Sequence, residues 1–202
     1  MTMDDTRQRL LDAAEQIFAE KGYEGATVRE IVTRAGANIA AINYHFGDKE
    51  RLYIEAVKSA FTCQREGFPL PEWPPGTPPA DKLRDFIHTL VSRMVDDRGP
   101  CGRRQLMMRE LAQPSAACAA VVQDQIRPDA QRLGQILGEL LPHASPVQRN
   151  LTAFSIVGQC LFHKIAQPII FQLVGPEEYS RYDAELLAEH ITQFSFAALG
   201  LK

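Results

Sequence analysis

Asn43, Tyr44 and His45 stand side by side in the stretch AGANIAAINYHFGDKERL, Ala35 to Leu52. An amide, a phenol and an imidazole so placed can bond the edges of bases or the oxygens of phosphates without carrying a fixed charge. Asn fits adenine N6 and N7, and small faces such as Ala40 and Ala41 can meet a thymine methyl or let a helix approach closely. Residues Ala37 to Phe46 contain no Lys or Arg, so cations for a polyanion must come from the flanks, where Arg29 and Lys49 lie. A nucleophile with its base would be a different chemistry, and Cys160 with His163, one helical turn apart, has the spacing for it. Both sit in an apolar run, which is better explained by packing.

No other chemistry is organised. His45, His88, His143, His163 and His190 fall on separate elements, and G-x-S-x-G, H-E-x-x-H, P-loop and Rossmann patterns are missing. Cys63, Cys101, Cys118 and Cys160 are far apart with no C-x-x-C pair, which removes the common zinc and thioredoxin-like spacings. The expectation is a non-enzyme with no cofactor and no metal. A redox sensor using Cys101 and Cys118 would need a tight return of the chain between them. A helical adaptor, with a Pro-rich docking peptide, is the remaining alternative.

The elements that must position these groups are helical throughout. Leu10, Ala14, Ile17 and Phe18 follow a helical period, and Gly22 stops that helix. TVRE, Thr27 to Glu30, is a capping box, and Val28, Ile31, Val32 and Ala35 form the buried face of a two-turn helix ending at Gly36. Asn38 caps the next short helix and Asp48 caps a longer one reaching about Gln64. On a wheel of ~100° per residue, Ile39, Ile42 and Phe46 share the core side, Ala40, Ala41 and Tyr44 face outward, and Asn43 and His45 flank them. Capped helix, Gly-containing turn and second capped helix make the outline of a helix-turn-helix.

Six of the thirteen prolines fall between Pro69 and Pro79, too dense for a helix, so this segment reads as a semi-rigid connector. Beyond it the periodicity predicts longer, more apolar helices over Ala80–Asp97, Cys101–Gln113, Ser115–Leu141, Ser145–Val174 and Pro176–Leu199, with Pro128 and Pro168 kinking or breaking two of them. Leu187, Ile191, Phe194 and Ala198 form one stripe near the C-terminus, widened by Leu186, His190 and Ala197. Strand signals are nearly absent, so the fold class is all-α.

Length and composition agree with a protein of one large domain or two small ones: 202 residues, 45% hydrophobic, 23% charged. The net charge of −3 and pI near 6.0 do not by themselves suggest a polyanion partner. The start, MTMDDTRQRLL, is acidic and polar, unlike a signal peptide, and Ser155 to Gly175 is too polar for a membrane span. A cytoplasmic protein with reduced thiols is expected.

Residues 6–61, with LLDAAEQIFAEKGYEGATVREIVTRAGANIAAINYHFGDKERLY, resemble the N-terminal domain of the TetR family of one-component transcriptional regulators. The match includes the G-[YF]-x-x-[TA]-[TS]-[VI] pattern and YHFGDKE after the recognition helix. The resemblance implies a homodimer that binds a double-stranded DNA operator and releases it when a small molecule enters the larger domain. It also implies DNA contacts at Thr27, Arg29, Ala40, Asn43, Tyr44, His45 and Lys49; Asn38 and Ala41 complete the expected set. Residues 1–66 carry nine Lys and Arg against eleven Asp and Glu, so affinity must rest on charge placement and dimeric presentation.

MRELAQPSAACAAVVQDQIRPDAQRL and SIVGQCLFHKIAQPIIF resemble the C-terminal domain of the CecR-like branch. The expected organisation is residues 1–66 for DNA, 67–79 as connector, and 80–202 for ligand and dimer. Candidate ligand-binding side chains are Phe86, Leu90, Met94, Met107, Met108 and Leu111, with Val122, Phe154, Gln159, Phe162 and His163. Methionine adapts its shape, which suits a partly apolar effector. In the family, the last helices pack on their copies as the dimer interface.

Overall fold

A computed structural model of the chain describes residues 3–95 and 101–201, and among them every element is helical. Two units, each with its own core, account for the packing. The first joins residues 1–64 with 97–127; the second joins 65–96 with 128–202.

The first unit opens with α1 (Met3–Gly25), interrupted at Gly22, whose φ is 72° and ψ 178°. A side chain there would be strained, and its Cβ would meet the Arg109 guanidinium at 2.5 Å. α2 (Val28–Ala35) follows, with Thr27 and Glu30 closing both halves of the capping box and Gly36 ending it at φ 60°. α3 (Ile39–His45) is capped by Asn38, whose side chain accepts from the Ala41 N–H at 2.9 Å. α4 (Lys49–Gly67) starts behind Asp48, which accepts from the Arg51 N–H at 2.8 Å.

Leu10, Phe18, Ile31, Ile42 and Leu52 lie fully buried at the centre of this unit, together with Leu106 and Met107 of α6 (Cys101–Ala112). Residues 101–127 therefore share a core with helices far earlier in the chain. The division by function expected at residues 67–79 is a different cut from this one of packing. α7 (Cys118–Val121) starts later than expected because Ser115 serves a turn, its hydroxyl accepting from the Ala117 N–H and donating to Glu110. A π-helical turn, Val122–Ile126, leads into α8 (Arg127–Leu140), and the Arg127 N–H reaches back to the Val122 carbonyl. Pro128 has no N–H to give, so the helical ladder slips at that point instead of breaking.

In the second unit α5 (Pro79–Val95), α9 (Pro146–Ile165) and α12 (Ala184–Leu199) pack on one another around Leu83, Ile87, Leu133, Leu137 and Ile191. The end expected for α5, at Asp97, lies outside the described residues. The run Ser145–Val174 is two helices, α9 and α10 (Gln167–Val174), bent by 70° just before Pro168, where the break was expected. Pro176–Leu199 is also two, a one-turn α11 (Pro176–Tyr179) and α12, because Asp183 caps the latter by accepting from the Leu186 N–H at 2.8 Å. No single helix among the described residues is long and apolar enough to cross a membrane.

Residues 68–78 of the Pro-rich connector form no helix, its two end residues closing α4 and opening α5, and the segment does not hang free. Leu70 and Trp73 pack against the second core, the Trp73 indole N–H donates to Asp85 at 2.9 Å, and Arg132 lies 5.1 Å above the Trp73 ring. Buried Arg93 bonds the Phe68 carbonyl at 2.8 Å and Asp129 at 2.7 Å, fixing the start of the same segment.

Candidate nucleic-acid interface

α3 is held by Ile42 and Phe46, 1% and 6% exposed, which anchor its inner side in the first core. The inner face is centred differently from the wheel. Ala41, expected outward, is partly buried against the core, whereas Ile39, expected inward, is 52% exposed. The small Ala41 lets α3 lie close to its neighbours, so the buried strip runs along Ala41, Ile42, His45 and Phe46 and the helix turns Ile39 out. The outer face is then Ile39, Ala40, Asn43 and Tyr44, with Asn38 exposed beside it. Tyr44 is 70% exposed and His45 half-buried, their rings 5.0 Å apart and nearly perpendicular.

The flanking groups are arranged by hydrogen bonds within the unit. Thr27 gives both its N–H (3.1 Å) and its hydroxyl (2.8 Å) to Glu30, so a phosphate must compete with that carboxylate for them. Lys21 also pairs with Glu30; this bond, then those from Thr27, hold its carboxyl down to about 2. Arg29 is exposed on the first turn of α2 and lines a cleft of about 470 Å³ with Lys21, Thr33 and Arg34. Lys49 rests with its ammonium 4.4 Å from the centre of the Tyr23 ring. A second cleft, about 310 Å³, places His45 and Phe46 with Arg7, Arg51 and Glu55. Arg51 was not singled out from sequence, although its place in the first turn of α4 beside Lys49 was the available signal.

Behind this face, α4 is tied to residues 101–127 by buried polar groups. The Tyr53 hydroxyl donates to Glu110 at 2.9 Å, and Ser115 gives Glu110 its N–H at 2.9 Å and its hydroxyl at 2.8 Å. Burial, reinforced by Glu110, pushes the Tyr53 phenol up to about 12. Lys58 pairs with Asp124 of the π-helical turn at 2.7 Å. Arg103 binds both Asp12 and buried Glu15, whose carboxyl is raised above the usual range by burial despite that partner.

The expected ligand-binding residues divide between the two units, and between interior and surface within each. Phe86 and Met94 are buried and Leu90 half-buried in the second unit, while Met107 is buried and Met108 half-buried against the first core. Leu111 and Val122 are exposed at 36% and 38%. Phe154 and Phe162 lie outside the interior altogether, 68% and 58% exposed, on an outer stripe of α9 with Val147, Leu151 and Ile165. Gln159 and His163 are half-buried on the same helix, Gln159 donating to the Ser155 carbonyl within it. Burial and nearby His190 hold the His163 imidazole below its ordinary range. On α12 the expected stripe separates into two faces: Leu187 and Ile191 point into the core, while Leu186, His190, Phe194 and Ala198 stay exposed. Cys160 is buried, which pushes its thiol up to about 12 and leaves it inert beside His163. Cys118 is half-buried, whereas the Cys101 side chain lies outside the described residues.

Comparison with known proteins gives two family matches on the one chain. Residues 10–56 match the tetR family of bacterial regulatory proteins, and residues 79–199, more than half of the chain, match the C-terminal domain of the HTH-type transcriptional dual regulator CecR. The CecR dual regulator of Shigella flexneri is 26% identical over 94% of this chain and 89% of its own length. The transcriptional repressor AcnR of Corynebacterium efficiens is 43% identical over 31% of this chain and only 36% of its own length. The transcriptional regulator FadR from Bacillus subtilis, solved with stearoyl-CoA, shares the fold with a TM-score of 0.65 at 19% identity, covering 93% of this chain and 96% of that one.

Proposed function

We propose a repressor that lets go of its operator on binding a small molecule, from the premise that the chain belongs to the TetR family of bacterial regulators, with the C-terminal domain of the CecR branch. It is a DNA-binding transcriptional regulator and not an enzyme. The observation that carries this reading furthest is the outer face of α3: Asn43 and Tyr44 are exposed on a short helix whose inner side is locked into the core. Base reading falls to Ala40 and Asn43, and phosphate contact to Thr27, Arg29, Asn38, Tyr44, His45 and Lys49, while Ala41, turned to the core, is left off the reading face. In this reading residues 1–66 serve DNA, 67–79 connect, and 80–202 serve ligand and dimer, in the cytoplasm.

Two copies associate through the exposed apolar stripes of α9 and α12, with Phe154, Phe162, Leu186 and Phe194 at the centre. Such a patch is far more than scattered surface residues require. Phe154 and Phe162 therefore serve the subunit contact in this reading, and the effector site rests on the more buried Phe86, Leu90 and Met94 of α5. In this reading a displacement of residues 101–127 reaches α4 through the Tyr53–Glu110 and Lys58–Asp124 bonds. The two recognition helices then lose the separation of successive major grooves, roughly 34–36 Å.

The test is selection of bound fragments from genomic DNA, followed by fluorescence anisotropy against scrambled DNA at several salt concentrations. A palindromic fragment bound with steep salt dependence, and lost in Tyr44→Ala, is the expected outcome. An empty selection would sink the reading.

A further inference from the structure

We propose that Ile39 reads a thymine methyl group in the operator, as the apolar half of a two-residue reader whose polar half is Asn43. This rests on the DNA-binding reading above and names what the recognition helix reads. Within the described residues of the first unit, Ile39 and Tyr44 are the most exposed large apolar side chains, 52% and 70%, and both belong to α3. Leu111 and Val122 follow at 36% and 38%. Ile42 within this seven-residue helix and Phe46, its C-cap, already anchor it, so the half-exposed Ile39 is not needed for that anchorage.

Ile39 and Asn43 are four residues apart, hence neighbours along one edge of the helix. Asn38, just before Ile39, is occupied in capping Ala41, and Ala40 is too small to block the approach. A group reaching this edge therefore meets an exposed aliphatic surface beside a primary amide. In the major groove, adenine offers N6 and N7 to the amide, and thymine alone offers a methyl at C5. Cytosine presents only hydrogen there, and guanine presents two acceptors that an isoleucine cannot satisfy. The pair thus selects an A·T-containing step in each half-site, with Asn43 on adenine and Ile39 on a neighbouring thymine. No cation is needed for this, consistent with the absence of Lys and Arg from Ala37 to Phe46.

The experiment uses the full-length protein and the selected operator, with each thymine of the half-site replaced in turn, symmetrically, by deoxyuridine, which differs only by the missing methyl. For the wild type, one position should weaken binding about fourfold per half-site, hence ~15-fold for the palindrome, the value of one buried methyl-sized group. Ile39→Ala should be weaker on the unmodified operator and indifferent to deoxyuridine at that position, while keeping its sensitivity elsewhere; Ile39→Val should fall between. Ile39 is exposed, so both variants should melt as the wild type does. The proposal is overturned if Ile39→Ala keeps the wild-type deoxyuridine profile, or if no thymine matters to the wild type. Failure of the parent reading looks different: no fragment is selected at all, and Tyr44→Ala changes nothing, which removes this proposal with it.

Discussion

The outer face of α3 and the outer stripes of α9 and α12 both leave large side chains in water, yet they are built for opposite kinds of partner. The α3 face is short, and each exposed residue on it differs in chemistry from the next: Ile39, Ala40, Asn43, Tyr44. The stripes on α9 and α12 repeat one chemistry, with Leu151, Phe154, Phe162, Leu186 and Phe194 all 50% exposed or more. A partner whose surface varies base by base must be met by varied groups, whereas a copy of the same chain needs area and shape. Exposure alone therefore does not identify an interface; the variety of what is exposed does.

The strongest way to break this contrast is to put charge into the uniform face. Phe162→Glu should weaken the dimer by roughly 100-fold or more, since an unpaired buried carboxylate costs about 3–5 kcal/mol, and operator binding should fall with it. Sedimentation across a concentration series checks the first and anisotropy the second. The reciprocal change, Tyr44→Ala, should lower operator affinity about 5–150-fold, one phosphate hydrogen bond of ~0.5–1.5 kcal/mol lost from each subunit, and leave sedimentation unchanged.

Next in size is the support behind α3. Tyr53→Phe removes one donor from buried Glu110 while leaving Ser115 in place, and should lower stability by about 1.5–3 kcal/mol in urea unfolding without altering the dimer. Smallest is a titration on the uniform face. Burial and His190 hold His163 below its ordinary range, so its contribution to stability is present above the unfolded value, about 6.5, and is lost as pH falls below it. The melting temperature should rise modestly between roughly pH 5 and 7, and His163→Gln should flatten that rise.

Much of the local structure was legible because its causes are local. The Thr27–Glu30 box, the Asn38 and Asp48 caps and the proline density from Pro69 to Pro79 act within a few residues, and each appears where the sequence put it. What depends on distant partners was not. Whether Ile39 or Ala41 turns inward is decided by how closely α3 approaches its neighbours, and an apolar wheel favours the larger side chain. Nothing local distinguishes a connector that is merely stiff from one pinned by Trp73 between Asp85 and Arg132. On α9 and α12, hydrophobicity all round gave no means of telling Leu187 from Leu186, although one is buried and the other half in water.

The first unit's two-piece construction has a consequence for synthesis. Its core closes only with Leu106, Met107, Ala117 and Val121 in place, so the first 64 residues leave the ribosome with an unfilled interior. They must wait for residue 127, ~60 residues later, which at about 5–20 residues per second is roughly 3–12 s. During that interval the segment that reads DNA is exposed to chaperones and proteases before it can hold a fixed shape. For the same reason, a transplantable reading head cut from this chain would have to carry both pieces.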